Sequence, residues 1–378
     1  MKPSALLEEL AAAYASEGQL FEIQCDLLYQ CDLDCAHCYL DEKATRNKDT
    51  AFWLDVIDQA AAMKVASVTM SGGEAFLRKD LLSLVARARS HGMLVALKSH
   101  GGHITSQIAA ELASLGVSEV QISYYSPDPD VHDAITRRPG SHGATLRGIQ
   151  LLVDHGVPTT VACCAMGPNV ADIDGLVRQC EELGVPVTLE LRVHDAMGGS
   201  TYPREMALSV RRTEELATRF EMNSGYCRGK PDTTWAQKRV CSAGHLLLYI
   251  NPEGLVTPCP TWPQALGDLS QGDRLKDIWS SSSLLHRMRG YRNQDRAGCQ
   301  DCESTSTCSY CPGQAYVEHG DPMRPATAVC NDAYARASAV ATAQGHPRPA
   351  SPPGLSNKRF QVLTTQQVER ASQEITLP

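Results

Sequence analysis

The chain has 378 residues, of which 43% are hydrophobic and 21% charged, and its formal net charge is −8. That length exceeds one ordinary domain, and the apolar fraction supports a sizeable core, so a wholly disordered chain is ruled out. The balance of 43 acidic against 35 basic residues argues against a general nucleic-acid binder. No apolar run reaches the roughly 18 residues a membrane span needs. Glu8 and Glu9 interrupt the apolar stretch at the start, so residues 1–20 read as a short amphipathic helix rather than a signal peptide, and a cytoplasmic location is expected.

Residues 21–195 alternate short β-rich runs with helical patterns. Strands are expected over 21–27, 66–70, 94–98, 119–123, 158–162 and 185–191. Helical spacing of apolar residues marks 80–91, 105–115, 144–155 and 172–183, with Gly92, Gly116, Gly156 and Gly184 placed as C-caps. Six βα units in series predict an α/β fold, a parallel sheet curled into a partial (β/α)6 barrel, with ligands at the C-terminal strand ends. From 196 to 344 the alternation stops. A hairpin is expected where the run 245–250 meets the turn Asn251-Pro252-Glu253-Gly254, followed by a cysteine-rich region and a helix over 326–343. The Pro-rich stretch 345–354 reads as a flexible linker leading into a tail that ends at 378.

The chain contains 15 cysteines, and in a reducing compartment many of them need a role other than disulfides. Cys31, Cys35 and Cys38 follow the first strand directly, and three thiolates so close together can wrap one face of a compact metal centre. Zinc is one reading, with Cys25 or His37 as a fourth ligand. An iron–sulfur cluster held by three cysteines, leaving one iron open, is the other. Cys227, Cys241, Cys259, Cys299, Cys302, Cys308, Cys311 and Cys330 fill the C-terminal third and suit two four-thiolate centres. Cys25, Cys163, Cys164 and Cys180 read as small buried apolar groups.

The CxxxCxxC run after the first strand of a partial barrel resembles the radical S-adenosylmethionine (SAM) superfamily. Ser71-Gly72-Gly73-Glu74, about 40 residues on at the end of the second strand, resembles that family's GGE motif. The resemblance implies a [4Fe–4S] cluster whose open iron chelates SAM, and cleavage of SAM to a 5′-deoxyadenosyl radical that abstracts hydrogen. It implies SAM contacts from Gly72, Gly73 and Glu74, the last to the amino group, and from Ser99, Ser123, His37 and Tyr39. Lys98-Ser99-His100-Gly101 stands where relatives often carry Thr-Asn-Gly, with His100 in the place of Asn.

The C-terminal cysteines resemble the SPASM extension of such enzymes, which holds two auxiliary [4Fe–4S] clusters. By that resemblance Cys241, Cys259 and Cys311 bind the first, with Cys227 as fourth ligand, and Cys299, Cys302, Cys308 and Cys330 bind the second. Relatives often space the last pair as CxxxC, whereas Cys308 and Cys311 form CxxC. SPASM proteins mostly modify ribosomally made peptides, by crosslinking or oxidation, and the tail Cys311-Pro-Gly-Gln-Ala-Tyr resembles that of peptide maturases. The sulfatase-maturing branch carries an Asp after the second SPASM cysteine, where this chain has Pro260.

The implied function is therefore a peptide-modifying radical SAM enzyme. A small-molecule or tetrapyrrole enzyme of the same architecture is the alternative, and a non-catalytic iron–sulfur scaffold a third. The implied partners are a precursor peptide, recognised either directly or through a separate protein (only about twenty residues precede the barrel), and an electron donor such as flavodoxin or ferredoxin. No nucleic acid or membrane is expected as partner. Tyr124, Tyr125, Arg192, His194 and Asp195, at strand ends, are the substrate-facing candidates, and Arg137-Arg138 a basic run able to meet an acidic leader peptide.

Overall fold

The computed structural model describes residues 3–41, 43, 47–221 and 234–355. Helix α1 (Pro3–Glu17) leads into β1 (Glu22–Asp26), and five further units follow: α2 (Thr50–Ala62), β2 (Ser67–Ser71), α3 (Leu81–Ser90), β3 (Leu94–Ser99), α4 (Ser106–Leu115), β4 (Glu119–Ser123), α5 (Pro129–Thr136) with α6 (Ser141–Asp154), β5 (Thr159–Cys164), α7 (Ile173–Glu182) and β6 (Val187–Glu190). Each neighbouring pair from β1 to β6 is parallel, as the alternating pattern predicts.

Strand periodicity decides what the sheet encloses. Ile23, Val68, Val95, Leu97, Val120, Ile122 and Val161 are fully buried and join Leu84, Leu112, Ile149 and Leu176 of the helices in one core. Alternate residues, among them Gln24, Lys98, Gln121 and Ser123, point the other way and line a cavity. The core thus lies outside the curled sheet, and the polar inner face is left for ligands.

The sheet has nine strands, in the order β6-β5-β4-β3-β2-β1-β7-β8-β9, where β7 is Leu247–Ile250, β8 Leu255–Thr257 and β9 Gly267–Asp268. The expected hairpin is present: Asn251 Oδ1 accepts from the backbone N–H groups of Glu253 and Leu255, and β8 returns antiparallel to β7. Its docking was not foreseen. β7 runs parallel to β1, Glu22 opposite Leu247, so the cysteine-rich region grows out of the barrel's own sheet. Pairing across more than 200 residues leaves no local trace in a sequence.

The remainder comprises α8 (Val210–Leu216), α9 (Leu275–Ser281), α10 (Ser283–Gly290), α11 (Pro312–His319) and α12 (Thr327–Gln344), the last matching the helix expected over 326–343. The Pro-rich stretch differs from its reading as a flexible linker. Ala350 N–H donates to Glu303 Oε2 at 2.5 Å, Arg348 pairs with Glu214 at 2.7 Å, and Pro352 is buried. Proline loses little conformational freedom on ordering, so such a strap is held by few contacts. No helix among the described residues is long and apolar enough to cross a membrane.

Candidate active site and cluster-binding centres

The loop leaving β1 carries Cys31, Cys35 and Cys38 and is fixed by the turn leaving β2. Gly73 N–H donates to Leu28 O at 2.7 Å and Glu74 N–H to Gln30 O at 2.9 Å. A Cβ on Gly72 would lie 2.1 Å from Leu28 O, and one on Gly73 2.3 Å from Gln30 O, so only glycine permits this approach. Asp32 ties the same loop to β3: His100 Nε2 and His103 Nε2 lie 3.0 and 3.1 Å from its Oδ1. Partial burial raises the Asp32 carboxyl, but these two histidines outweigh it and hold the group below the usual carboxylate range.

Glu74 is placed differently from the implied contact with an amino group. It is fully buried, is not among the cavity-lining residues, and its carboxylate accepts from Ser99 Oγ at 2.9 Å, His100 N–H at 2.9 Å and Phe76 N–H at 3.0 Å. Glu74 braces β3 against the cluster loop while Gly72, Gly73 and Ser99 line the cavity.

That cavity, of about 820 Å³, has the three thiols on one wall, with His37, Tyr39, Ser123, Tyr125 and Lys98 around them. Burial pushes the Cys31 thiol up to about 11 and the Cys35 thiol up to about 12, and raises that of Cys38. Bare, these thiols hold their protons at neutral pH, and a bound metal centre is what makes them thiolates. His37 meets Tyr125 edge-on at 4.8 Å. The Tyr39 hydroxyl donates to Asp26 Oδ2 at 3.1 Å, and Tyr249, from β7, donates to the same oxygen at 2.7 Å. Burial raises the Asp26 carboxyl to about 6 against these hydrogen bonds. Sequence reasoning missed this group, because only the pairing of β7 with β1 brings Tyr249 to Asp26.

Of the five substrate-facing candidates, four line the cavity and Tyr124 does not. The two-residue period of β4 turns Ser123 and Tyr125 inward and Tyr124 outward, where its hydroxyl donates to Gln179 Oε1 at 2.7 Å and lies 2.8 Å from His142 Nε2. By the same rule Cys164, read as a core thiol, faces the cavity, whereas Cys25, Cys163 and Cys180 are buried as expected. Arg192 Nη2 donates to Asp332 Oδ2 of α12 at 2.5 Å. Burial pushes His194 down to about 4, so it is neutral at physiological pH. Burial raises Asp195 to about 6 although Arg204 pairs with it. Arg137 is engaged at home, donating to Asp34 at 3.1 Å.

Pro260, Thr261, Trp262 and Pro263, directly after Cys259, line the same cavity as the three thiols. Thr261 Oγ1 lies 3.3 Å from Cys259 Sγ and 3.7 Å from Cys311 Sγ, and burial first, then the neighbouring Cys311, raises the thiols of Cys241 and Cys259. Cys227 lies outside the described residues. Farther out, Cys299, Cys302, Cys308 and Cys330 line one small cavity, closed by Arg296, Tyr310, Pro352 and Pro353. Among the described residues, Cys259 and Cys311 thus share Thr261, and the four thiols of the other set share one pocket.

Residues 27–180 match the family model of the radical SAM superfamily. Residues 241–311 match that of SPASM, an iron–sulfur cluster-binding domain. The chain is a radical SAM protein with a SPASM domain. The thiols present fit the donor sets of such clusters: three face a cavity, and four line a pocket walled off from it. The fold is shared with SuiB of Streptococcus suis, solved bound to precursor peptide SuiA (16% identity, TM-score 0.65, covering 87% of this chain and 81% of that one). It is shared also with anSMEcpe, solved with bound AdoMet (13% identity, TM-score 0.68, covering 86% and 97%).

Proposed function

We propose that this radical SAM enzyme oxidatively modifies a ribosomally made peptide, using three [4Fe–4S] clusters. The observation that carries this reading is the single cavity running from Cys31, Cys35 and Cys38 to the wall formed by Pro260–Pro263 beside Cys259. Its volume of about 820 Å³ lies within the range of roughly 300–1,000 Å³ typical of sites that enclose a ligand. SuiB with its precursor peptide and anSMEcpe with AdoMet and the Cp18Cys peptide support a peptide as the substrate.

When bound and reduced, the SAM-loaded cluster supplies a 5′-deoxyadenosyl radical that takes a hydrogen atom from the peptide. The chain's own residues do the rest. Gly72 and Gly73 offer backbone at the thiol wall, and Ser99, Ser123, His37 and Tyr39, which line the same cavity, would hold SAM. Completing an oxidation requires the substrate radical to lose one electron and one proton. Cys241, Cys259 and Cys311, with Cys227, would hold an auxiliary cluster beyond the Pro260–Pro263 wall, and that cluster would supply an acceptor for the electron. The proton goes to Asp195, whose raised carboxyl suits it to accept one near neutral pH. Asp195, on the loop after β6, thus takes the role left vacant by Pro260. A flavodoxin or ferredoxin supplies the electron that starts each cycle, and a separate recognition protein delivers the peptide. The barrel (21–195) holds SAM, and 196–344 the auxiliary clusters.

The test is anaerobic turnover of reconstituted, reduced protein with SAM and short peptides encoded beside its gene. The reading predicts 5′-deoxyadenosine and a peptide of altered mass. Absence of 5′-deoxyadenosine under reducing conditions, with clusters and SAM present, would contradict it.

A further inference from the structure

Arg296 is an anomaly in the second auxiliary site. Its side chain is buried, with the residue 3% exposed, yet among the described residues no Asp or Glu forms an ion pair with it. Its Nη1 donates to Asn293 Oδ1 at 3.1 Å, its Nη2 points to Cys308 Sγ at 3.5 Å, and its Nε has no partner. The guanidinium lies over Tyr310 at 4.1 Å and Trp235 at 5.3 Å. Tyr310 is itself locked, its hydroxyl lying 2.9 and 2.7 Å from the carbonyls of Pro322 and Arg324. The nearby carboxylates are engaged elsewhere: Asp295 with Arg292 N–H, Asp321 with Met323 N–H, Glu303 with Ala350 N–H.

A buried cation without a counter-ion costs several kcal/mol, and aromatic faces return only part of that. The protein tolerates Arg296 only if an anion fills the pocket that Arg296 shares with Cys299, Cys302, Cys308 and Cys330. A [4Fe–4S] cluster on four thiolates is such an anion, and adding an electron makes it more negative. We infer that Arg296 is the built-in counter-ion of the second auxiliary cluster, a positioning residue that favours the cluster's reduced form and raises its reduction potential. Hydrogen bonds, net charge and solvent exposure around the sulfurs are the recognised levers on such potentials. The Pro352–Pro353 strap adds the third, closing the same pocket from solvent.

This inference rests on the two-auxiliary-cluster reading, and the experiment separates the two. In a Cys31→Ala/Cys35→Ala/Cys38→Ala background only the auxiliary clusters remain, and each is followed by EPR during a redox titration. Arg296→Gln should lower one midpoint potential and leave the other unchanged, and Arg296→Lys should restore most of the shift. In the iron-free protein the sign reverses: Arg296→Gln should raise the melting temperature, because it removes an unpaired buried charge. Eight irons per chain with both potentials unmoved would overturn this inference alone. So would an equal effect of Gln and Lys, or a lower melting temperature for the iron-free Gln variant. About four irons in the background protein would overturn the cluster reading and this inference with it.

Discussion

The two ends of the chain gather thiols for opposite purposes. The N-terminal centre draws three cysteines from one loop and turns them to an 820 Å³ cavity, where on the proposed reading an incomplete ligand set would leave metal open to a small molecule. The second auxiliary centre draws four from segments spread over residues 299–330 and encloses them behind Arg296, Tyr310 and the Pro352–Pro353 strap. Ligand chemistry is the same in both. On the proposed reading, access and surrounding charge separate a centre that reacts from one that only exchanges electrons.

The strongest way to break that contrast is to remove each ligand set in turn. Cys31→Ala/Cys35→Ala/Cys38→Ala should abolish 5′-deoxyadenosine formation, while Cys299→Ala/Cys302→Ala should preserve it and lose peptide product; chromatography of SAM products and peptide mass spectrometry read the two outcomes. Equal loss of SAM cleavage in both would erase the contrast. Next in size, Asp195→Asn should slow peptide turnover by about 10²–10⁴-fold. Wild-type activity should fall with acid as Asp195 protonates near pH 6, and the variant's pH–rate profile should lack that limb.

Single methyl groups sharpen the contrast further. Gly73→Ala places Cβ 2.3 Å from Gln30 O, and Gly354→Ala places one 2.6 Å from Cys330 Sγ. Overpacking of this kind costs roughly 1–3 kcal/mol. Each variant should lose iron from its own site only, as iron analysis and thermal melts will report. A comparable but pH-dependent effect belongs to Asp26, which holds the Tyr39 hydroxyl of the thiol-bearing wall. Its folded carboxyl is raised to about 6 from 3.8, so the folded state holds this proton more tightly than the unfolded chain does. The stability it contributes is fully present below about pH 4 and is lost as pH rises to about 6, by roughly 3 kcal/mol at most. Asp26→Asn should remove that slope from the difference between the two melting curves. Parallel curves would show that Asp26 titrates normally.

Much of this arrangement was readable from the residues. Apolar runs closed by Gly92, Gly116, Gly156 and Gly184, each with positive φ, marked the βα units, and the count of thiols suggested sets of four, while the resemblance to SPASM proteins implied which cysteines go together. What escaped depends on register and distance. Whether Tyr124 or Tyr125 faces the cavity turns on a single residue's phase along β4. Tyr249 reaches Asp26 only because β7 joins β1 from more than 200 residues away. Glu74 sits in its motif yet spends its carboxylate on Ser99 and His100, a choice made by the packing of three strand ends. The strap was misread because composition reports a segment's stiffness and not what it lies against.

The most direct test of the central claim is iron analysis combined with EPR of the anaerobically reconstituted protein, before and after adding SAM. Wild type should hold about 12 irons per chain, four per cluster, and SAM should perturb the signal of one cluster alone. The Cys31→Ala/Cys35→Ala/Cys38→Ala variant should hold about eight and show no response to SAM. A variant that keeps all its iron, or whose remaining signals still shift with SAM, would contradict the assignment of one open and two closed centres.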